Sequence, residues 1–358
     1  MTIDDRWKIV GGRPSGFDYM RITLAVTILV WHAYPVSRGT KAASEFWRTS
    51  LSGHVLAILL PMFFALSGFL VAGSMYRNPD LRKFLTLRLI RIYPALVVEA
   101  GLSALLLGPF LTTVPLVQYF TDRKFLLYLM NTIGWVHFYL PGVFPSNPQP
   151  ELVNGQLWTV PFELECYVLI TVIAILGFFR LRLRVIPIFA LATLAVLAWN
   201  QHSGVMAATP GGWSGRILIL CFLGGVTIYS FRDQIPWRID LAIVSLMAAS
   251  FLPSISDTLT YLTPIFLAYG TVCLGLLNPR RMLIVDSGDY SYGVFLYHYP
   301  IEQTVQYFLG GDASWLMIVT ISLPITILFA LFSWWCIEKP FLKVRSFVLR
   351  GPGRVMQQ

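Results

Sequence analysis

Ten apolar stretches, at 17–35, 54–74, 92–111, 157–179, 185–200, 216–231, 239–255, 259–277, 290–309 and 315–337, recur along this chain with the length needed to cross a hydrocarbon layer. In a bilayer the backbone must satisfy its own hydrogen bonds, so runs of this kind fold as helices packed on one another. Composition agrees with that constraint. Hydrophobic residues make up 56% of the chain and charged residues 13%, and the mean hydropathy of +0.65 leaves too little polar surface for a water-soluble globule. The expected fold class is all-α, a polytopic transmembrane helix bundle. No linker or low-complexity tract sets off a soluble module and no internal repeat stands out, so residues 1–358 read as one membrane domain with its core at about 17–341.

The basic residues give the orientation. With the N-terminus inside, 20 of the 27 Lys and Arg fall on the inner side and six on the outer, with Arg21 inside the first span. That bias puts both termini in the cytoplasm and requires an even number of spans. It also accounts for the net charge of +9, which makes no case for a nucleic-acid partner. Residues 1–16 read as a short polar arm, and 141–156 as an outer loop rich in Pro, Asn and Gly. The stretch 125–140, FLLYLMNTIGWVHFYL, is interrupted by Asn131, Gly134 and His137, so a re-entrant or interfacial element is expected there rather than an eleventh span. Cys166, Cys221, Cys273 and Cys336 lie in apolar segments and read as core residues, with neither disulfide nor metal spacing.

Ionisable groups inside apolar spans are costly and mark function. The first span carries Arg21 and His32 eleven residues apart, hence on one helix face and about 16 Å apart along the axis. Arg88 and Arg91, in RNPDLRKFLTLRLIR, form an i, i+3 pair at the end of a basic inner loop, and two guanidiniums so spaced can clamp phosphate oxygens. Ordinary inner-side charge is the plainer reading. Glu163 and Glu165 follow Pro161 within LWTVPFELECY, where Arg21, His32 or the arginine pair are the available partners. In SYGVFLYHYPIEQ, His298 and Glu302 stand at i, i+4, and a histidine snorkelling among interfacial tyrosines is the plainer reading of His298.

Taken in order, these residues resemble the acyltransferase-3 family of integral-membrane O-acyltransferases. The motifs are Arg21 followed by ten residues and His32, FFALSGFL at 63–70, Arg88-x-x-Arg91 before IYP, LWTVPFELECY around Glu163, SYGVFLYHYP with His298, and IEKPF at 337–341. The resemblance implies transfer of an acyl group, most often acetyl from acetyl-coenzyme A, to a hydroxyl of a carbohydrate such as an exopolysaccharide, lipopolysaccharide or lipid-linked glycan. It implies a multi-pass protein of the bacterial inner membrane, with lipid, the acyl-coenzyme A donor and the carbohydrate as partners and no metal. The residues tied to activity match Arg21, His32, Glu163, Arg88 and Arg91 here. Where the family commonly has LWSLSVEEQFY, this chain has Leu164 in place of the second glutamate, with Glu165 one place later. Some members append an esterase-like soluble domain, whereas about 17 residues follow IEKPF here.

Acyl transfer from a thioester to an alcohol needs a base for the hydroxyl and stabilisation of an oxyanion. A neutral His32 can serve as that base, or as a nucleophile that carries the acyl group. The arginine pair suits the phosphates of coenzyme A, and the distance from Arg21 to His32 is comparable with the reach of its pantetheine arm. A secondary transporter of a polar or anionic solute would also place Arg, His and Glu in proline-broken spans. The charge bias is testable in intact cells: an impermeant thiol reagent should label a cysteine placed in the 141–156 loop and spare one at position 350. The opposite pattern would overturn the orientation.

Overall fold

The computed structural model describes residues 1–12, 14–77, 80–177, 182–209 and 212–343. The inner loop at Arg180 and the basic tail beyond Lys343, both part of the charge bias, lie outside the described residues. A short helix α1 (Ile3–Ile9) comes first, and among the described residues each of the ten apolar stretches holds a helix. These are α2 (Ser15–Arg38), α3 (Leu59–Arg77), α4 (Leu81–Leu102), α5 (Val160–Ile175), α6 (Val185–Ser203), α7 (Gly215–Ser230), α8 (Ile239–Ile255), α9 (Thr263–Gly275), α10 (Ser291–Phe308) and α11 (Trp315–Phe332). Among the described residues six helical stretches are long and apolar enough to cross a membrane: Leu51–Arg77, Leu81–Leu111, Gly155–Ile175, Arg182–Ser203, Asp257–Gly275 and Trp315–Lys343. Helices α7 and α8 are apolar but shorter, and α2 and α10 carry the polar residues singled out above. The protein is therefore an integral membrane protein built from helices.

Two compact units interleave along the chain. The first is formed by residues 1–24, 44–79 and 162–288. Here the expected polar arm is instead a helix, because Thr2 and Asp5 cap α1 reciprocally, and Asp4 accepts from Arg232 Nε at 2.8 Å. Trp7, Phe17, Phe69 and Tyr229 stack in a run with ring centroids 5.2–5.8 Å apart from Trp7 to Phe69 to Tyr229 and from Phe17 to Phe69. Three cysteines are buried as expected, whereas Cys336, in the second unit, is exposed.

The FFALSGFL motif acquires a structural explanation in this unit. A Cβ on Gly68 of α3 would fall 1.9 Å from the Phe222 carbonyl oxygen of α7, and one on Gly225 of α7 would fall 2.0 Å from the Ala65 carbonyl oxygen of α3. The two backbones thus touch at reciprocal glycines, the close crossing that small residues allow between membrane helices. Gly68→Val should force them apart at a cost of about 3 kcal/mol, the upper range for overpacking. Thermal melting of the purified variant tests this, and an unchanged melting temperature would contradict the crossing.

The second unit comprises residues 25–43, 80–161 and 289 onward. Helix α4 starts at Leu81, so Arg88 and Arg91 are helical rather than at a loop end. Asp80 caps the helix by accepting the Lys83 amide at 3.1 Å, which holds its carboxyl below the usual range. The 125–140 stretch does not form one helix. It is a short helix (Arg123–Tyr128), a 3₁₀ turn (Leu129–Ile133) ended by Gly134 at φ 85°, and extended chain. Asn131 closes the turn by accepting the His137 amide and donating to its carbonyl, both at 2.8 Å. Wider π turns follow α4 at Ser103–Leu107 and α11 at Ser333–Glu338, a feature frequent at functional sites.

Candidate active site

His32 meets a partner that spacing did not suggest. Its Nδ1 lies 2.7 Å from Nε2 of His298, with the two rings within 7° of parallel. Far from snorkelling, His298 is fully buried, and its Nδ1 lies 3.0 and 2.9 Å from the carbonyl oxygens of Val294 and Phe295, one turn back on α10. Carbonyls only accept, so Nδ1 of His298 carries its proton and Nε2 its lone pair. Nδ1 of His32 must then donate to that lone pair, which leaves the half-buried His32 with an unprotonated Nε2.

The pair is held from both sides. Trp315 Nε1 donates to the Val30 carbonyl at 2.7 Å and Ser37 Oγ to the Ala313 carbonyl at 2.7 Å, which pins α2 above and below His32. On α10, Pro300 has no N–H, so the carbonyl four residues back, that of Leu296, loses its helical donor. Gln156 Nε2 replaces it at 2.6 Å. The loop that delivers Gln156 also steadies Tyr299, whose ring packs edge-on against His32 at 5.5 Å and whose hydroxyl donates to Gln149. Gly155 makes room for that ring, since a Cβ there would fall 2.6 Å from it. Gln303 donates to the carbonyls of Gln149 and Leu152 at 3.0 and 2.7 Å.

Arg91 is already engaged. Its terminal nitrogens donate to Glu338 at 2.6 Å and Asp289 at 2.7 Å, and Glu338 is itself seated by Ser333 at 3.0 Å across the π turn. The guanidinium expected to clamp phosphate therefore has two carboxylates in this structure. Arg88, one turn earlier, is half-buried with its guanidinium 5.4 Å from the centre of the Phe84 ring. Further along α4, Glu99 is buried and accepts from Ser103 at 2.9 Å and Asn154 at 3.0 Å. Sequence reasoning passed over Glu99, although it stands eleven residues after Arg88, the spacing that drew attention to Arg21 and His32.

Arg21 and Glu163 belong to the first unit, and His32, Arg88 and Arg91 to the second. Arg21 and His32 share α2. Glu163 accepts from the Tyr167 hydroxyl at 2.6 Å, and Glu165 forms a half-exposed pair with Arg216 at 2.7 Å. Among the described residues no group of three or more His, Cys, Asp and Glu side chains is arranged to hold a metal.

A helical membrane protein whose polar centre is a pair of histidines, one presenting a free imidazole nitrogen, has the parts of a group-transfer enzyme. The family comparison specifies the group: the model described as an acyltransferase domain matches residues 15–337, and the chain belongs to the acyltransferase-3 family. It is an acyltransferase. Among its relatives is a protein named O-acetyl transferase from Shigella phage Sf6, 28% identical over 92% of this chain and 96% of that protein. Another is nodulation protein 10 of Rhizobium leguminosarum bv. viciae, 26% identical over 94% of this chain and 95% of that one. No solved structure matches the chain.

The ion cluster yields a prediction. Glu338 is 2% exposed, so Arg91→Ala takes the cation from a buried carboxylate and should cost about 3 kcal/mol of stability. Adding Glu338→Gln should recover part of that loss. Melting temperatures of the single and double variants decide it, and strictly additive losses would show that the pair is not coupled.

Proposed function

We propose that the protein is a membrane O-acetyltransferase that moves acetyl from acetyl-coenzyme A to a hydroxyl of a carbohydrate. The observation that carries this reading is the His32–His298 contact, because it leaves His32 Nε2 able to accept a proton. In the reaction, Nε2 takes the proton of the acceptor hydroxyl while its oxygen attacks the thioester carbonyl. The tetrahedral intermediate collapses, the C–S bond breaks, and the proton on Nε2 passes to the departing thiolate. An ester and free coenzyme A result. His298 holds the tautomer and orients the ring, the part a carboxylate plays in a serine-hydrolase triad.

Arg88 is the cation we assign to the coenzyme A phosphates, with Arg91 fixing the start of α10 through Asp289 and Glu338. Arg21 and Glu163 stay with the residues needed for turnover on the strength of the family motifs. The charge bias supports ten spans with both termini in the cytoplasm of a bacterial cell, where acetyl-coenzyme A is made. The relative named O-acetyl transferase supports oxygen as the accepting atom.

His32→Gln keeps hydrogen-bonding capacity but cannot take the proton, so turnover should fall by about 10³-fold or more without loss of folded protein. His298→Asn should lower kcat by about 10²-fold and leave KM for acetyl-coenzyme A unchanged. Acetyl transfer by purified variants matched for amount and melting temperature is the check. Near-normal turnover in His32→Gln would remove His32 from catalysis.

A further inference from the structure

The C-terminal half of α10 carries a stripe that the chemistry above leaves unused. His298, Glu302 and Gln306 recur every four residues, so they share one side of the helix over about 12 Å. All three are fully buried. His298 is engaged at both ring nitrogens. Glu302 is not: neither carboxyl oxygen has a hydrogen-bond partner. Gln306 donates through Nε2 to the Gly311 carbonyl, and its Oε1 is likewise unpartnered. From the 141–156 loop, Asn147 donates through Nδ2 to the backbone and side-chain oxygens of Gln303, the residue after Glu302, at 2.9 and 2.8 Å, and its Oδ1 has no partner.

Each of these unpartnered atoms is an oxygen able to accept. Buried acceptors left unmet cost free energy that apolar side chains would not, and such groups call for an explanation. What the stripe lacks is hydrogen-bond donors, which the hydroxyls of a polyhydroxylated molecule would supply. Its position along α10 is equally pointed: the Arg91–Asp289 pair stands just before the helix, the histidine pair at its middle, and the unmet acceptors beyond. We infer that Glu302, Gln306 and Asn147 form the acceptor subsite, which receives the hydroxyl groups of a polyhydroxylated acceptor one turn and more beyond His298. This rests on the O-acetyl transfer proposed above. The 141–156 loop bonds the neighbouring side of α10, Asn147 to Gln303 and Gln149 to Tyr299, so acceptor hydroxyls exchange with the bonds the loop makes to α10.

Glu302→Leu separates a used carboxyl from an idle one, because an apolar side chain of similar volume relieves the unmet acceptors. The experiment takes purified full-length protein, radiolabelled acetyl-coenzyme A, and the envelope glycan fraction from a strain deleted for the gene. The expected result is at least a tenfold loss of acetyl transfer to the glycan, with acetyl-coenzyme A affinity within twofold of the parent and a melting temperature no lower. Parent-like transfer by the Leu variant would mean that the carboxyl meets only buried water, and would overturn the subsite while leaving the O-acetyltransferase reading intact. A matching loss of acetyl-coenzyme A affinity would also overturn it, by moving Glu302 to the donor side. Absence of transfer by the parent protein would overturn the function and the subsite together. If Glu302→Leu does not fold, Glu302→Gln keeps one acceptor oxygen and should raise the half-saturating glycan concentration at least threefold. Unchanged saturation in that variant would again overturn the subsite.

Discussion

Inside a hydrocarbon layer a polar group has no water to fall back on, and the second unit is organised around that fact. The clearest case is Pro300. Its missing N–H exposes the Leu296 carbonyl in the middle of α10, and Gln156 answers it at 2.6 Å. Because Gln156 must reach that carbonyl, the loop before α5 is drawn against α10, and the same loop places Gly155 under the Tyr299 ring and Asn154 on Glu99. One unsatisfied carbonyl thus ties α4, the loop and α10 together around the histidines.

Along α10 the polar groups come in an order that fits a two-substrate reaction. The Arg91, Asp289 and Glu338 cluster fixes the start of the helix, the His32–His298 pair occupies its middle, and the unpartnered acceptors follow. A donor approaching along the arginine end and a hydroxyl acceptor approaching from the other would meet at His32. The close glycine crossing of α3 and α7 belongs to a different task, packing the first unit.

Apolar run length is a local property, and each of the ten stretches read from it holds a helix. The N-terminal helix and the early start of α4 were also locally encoded, in Thr2 with Asp5 and in Asp80, but a charge-rich segment reads as loop when only hydropathy is followed. Partnerships were not legible. His298 lies 266 residues from His32, and Asp289 and Glu338 lie 198 and 247 residues from Arg91. Spacing along one helix gives no account of contacts across such separations. So His298 among its tyrosines looked interfacial, and Arg91 looked available for phosphate. Glu99 was readable in principle, as a lone acid in VVEAG eleven residues from Arg88.

Proton acceptance by His32 depends on which of its nitrogens already holds a proton, and that is directly measurable. Nitrogen-15 NMR of the protein labelled at histidine in lipid, with His32 and His298 assigned by substitution, reports the tautomer of each ring. The expected result is Nδ1 protonated in both residues, a bare Nε2 on His32, and a shift in the His32 signals when His298 is replaced by Asn. A proton resident on His32 Nε2 would contradict it, because the nitrogen that must take the acceptor's proton would already be occupied.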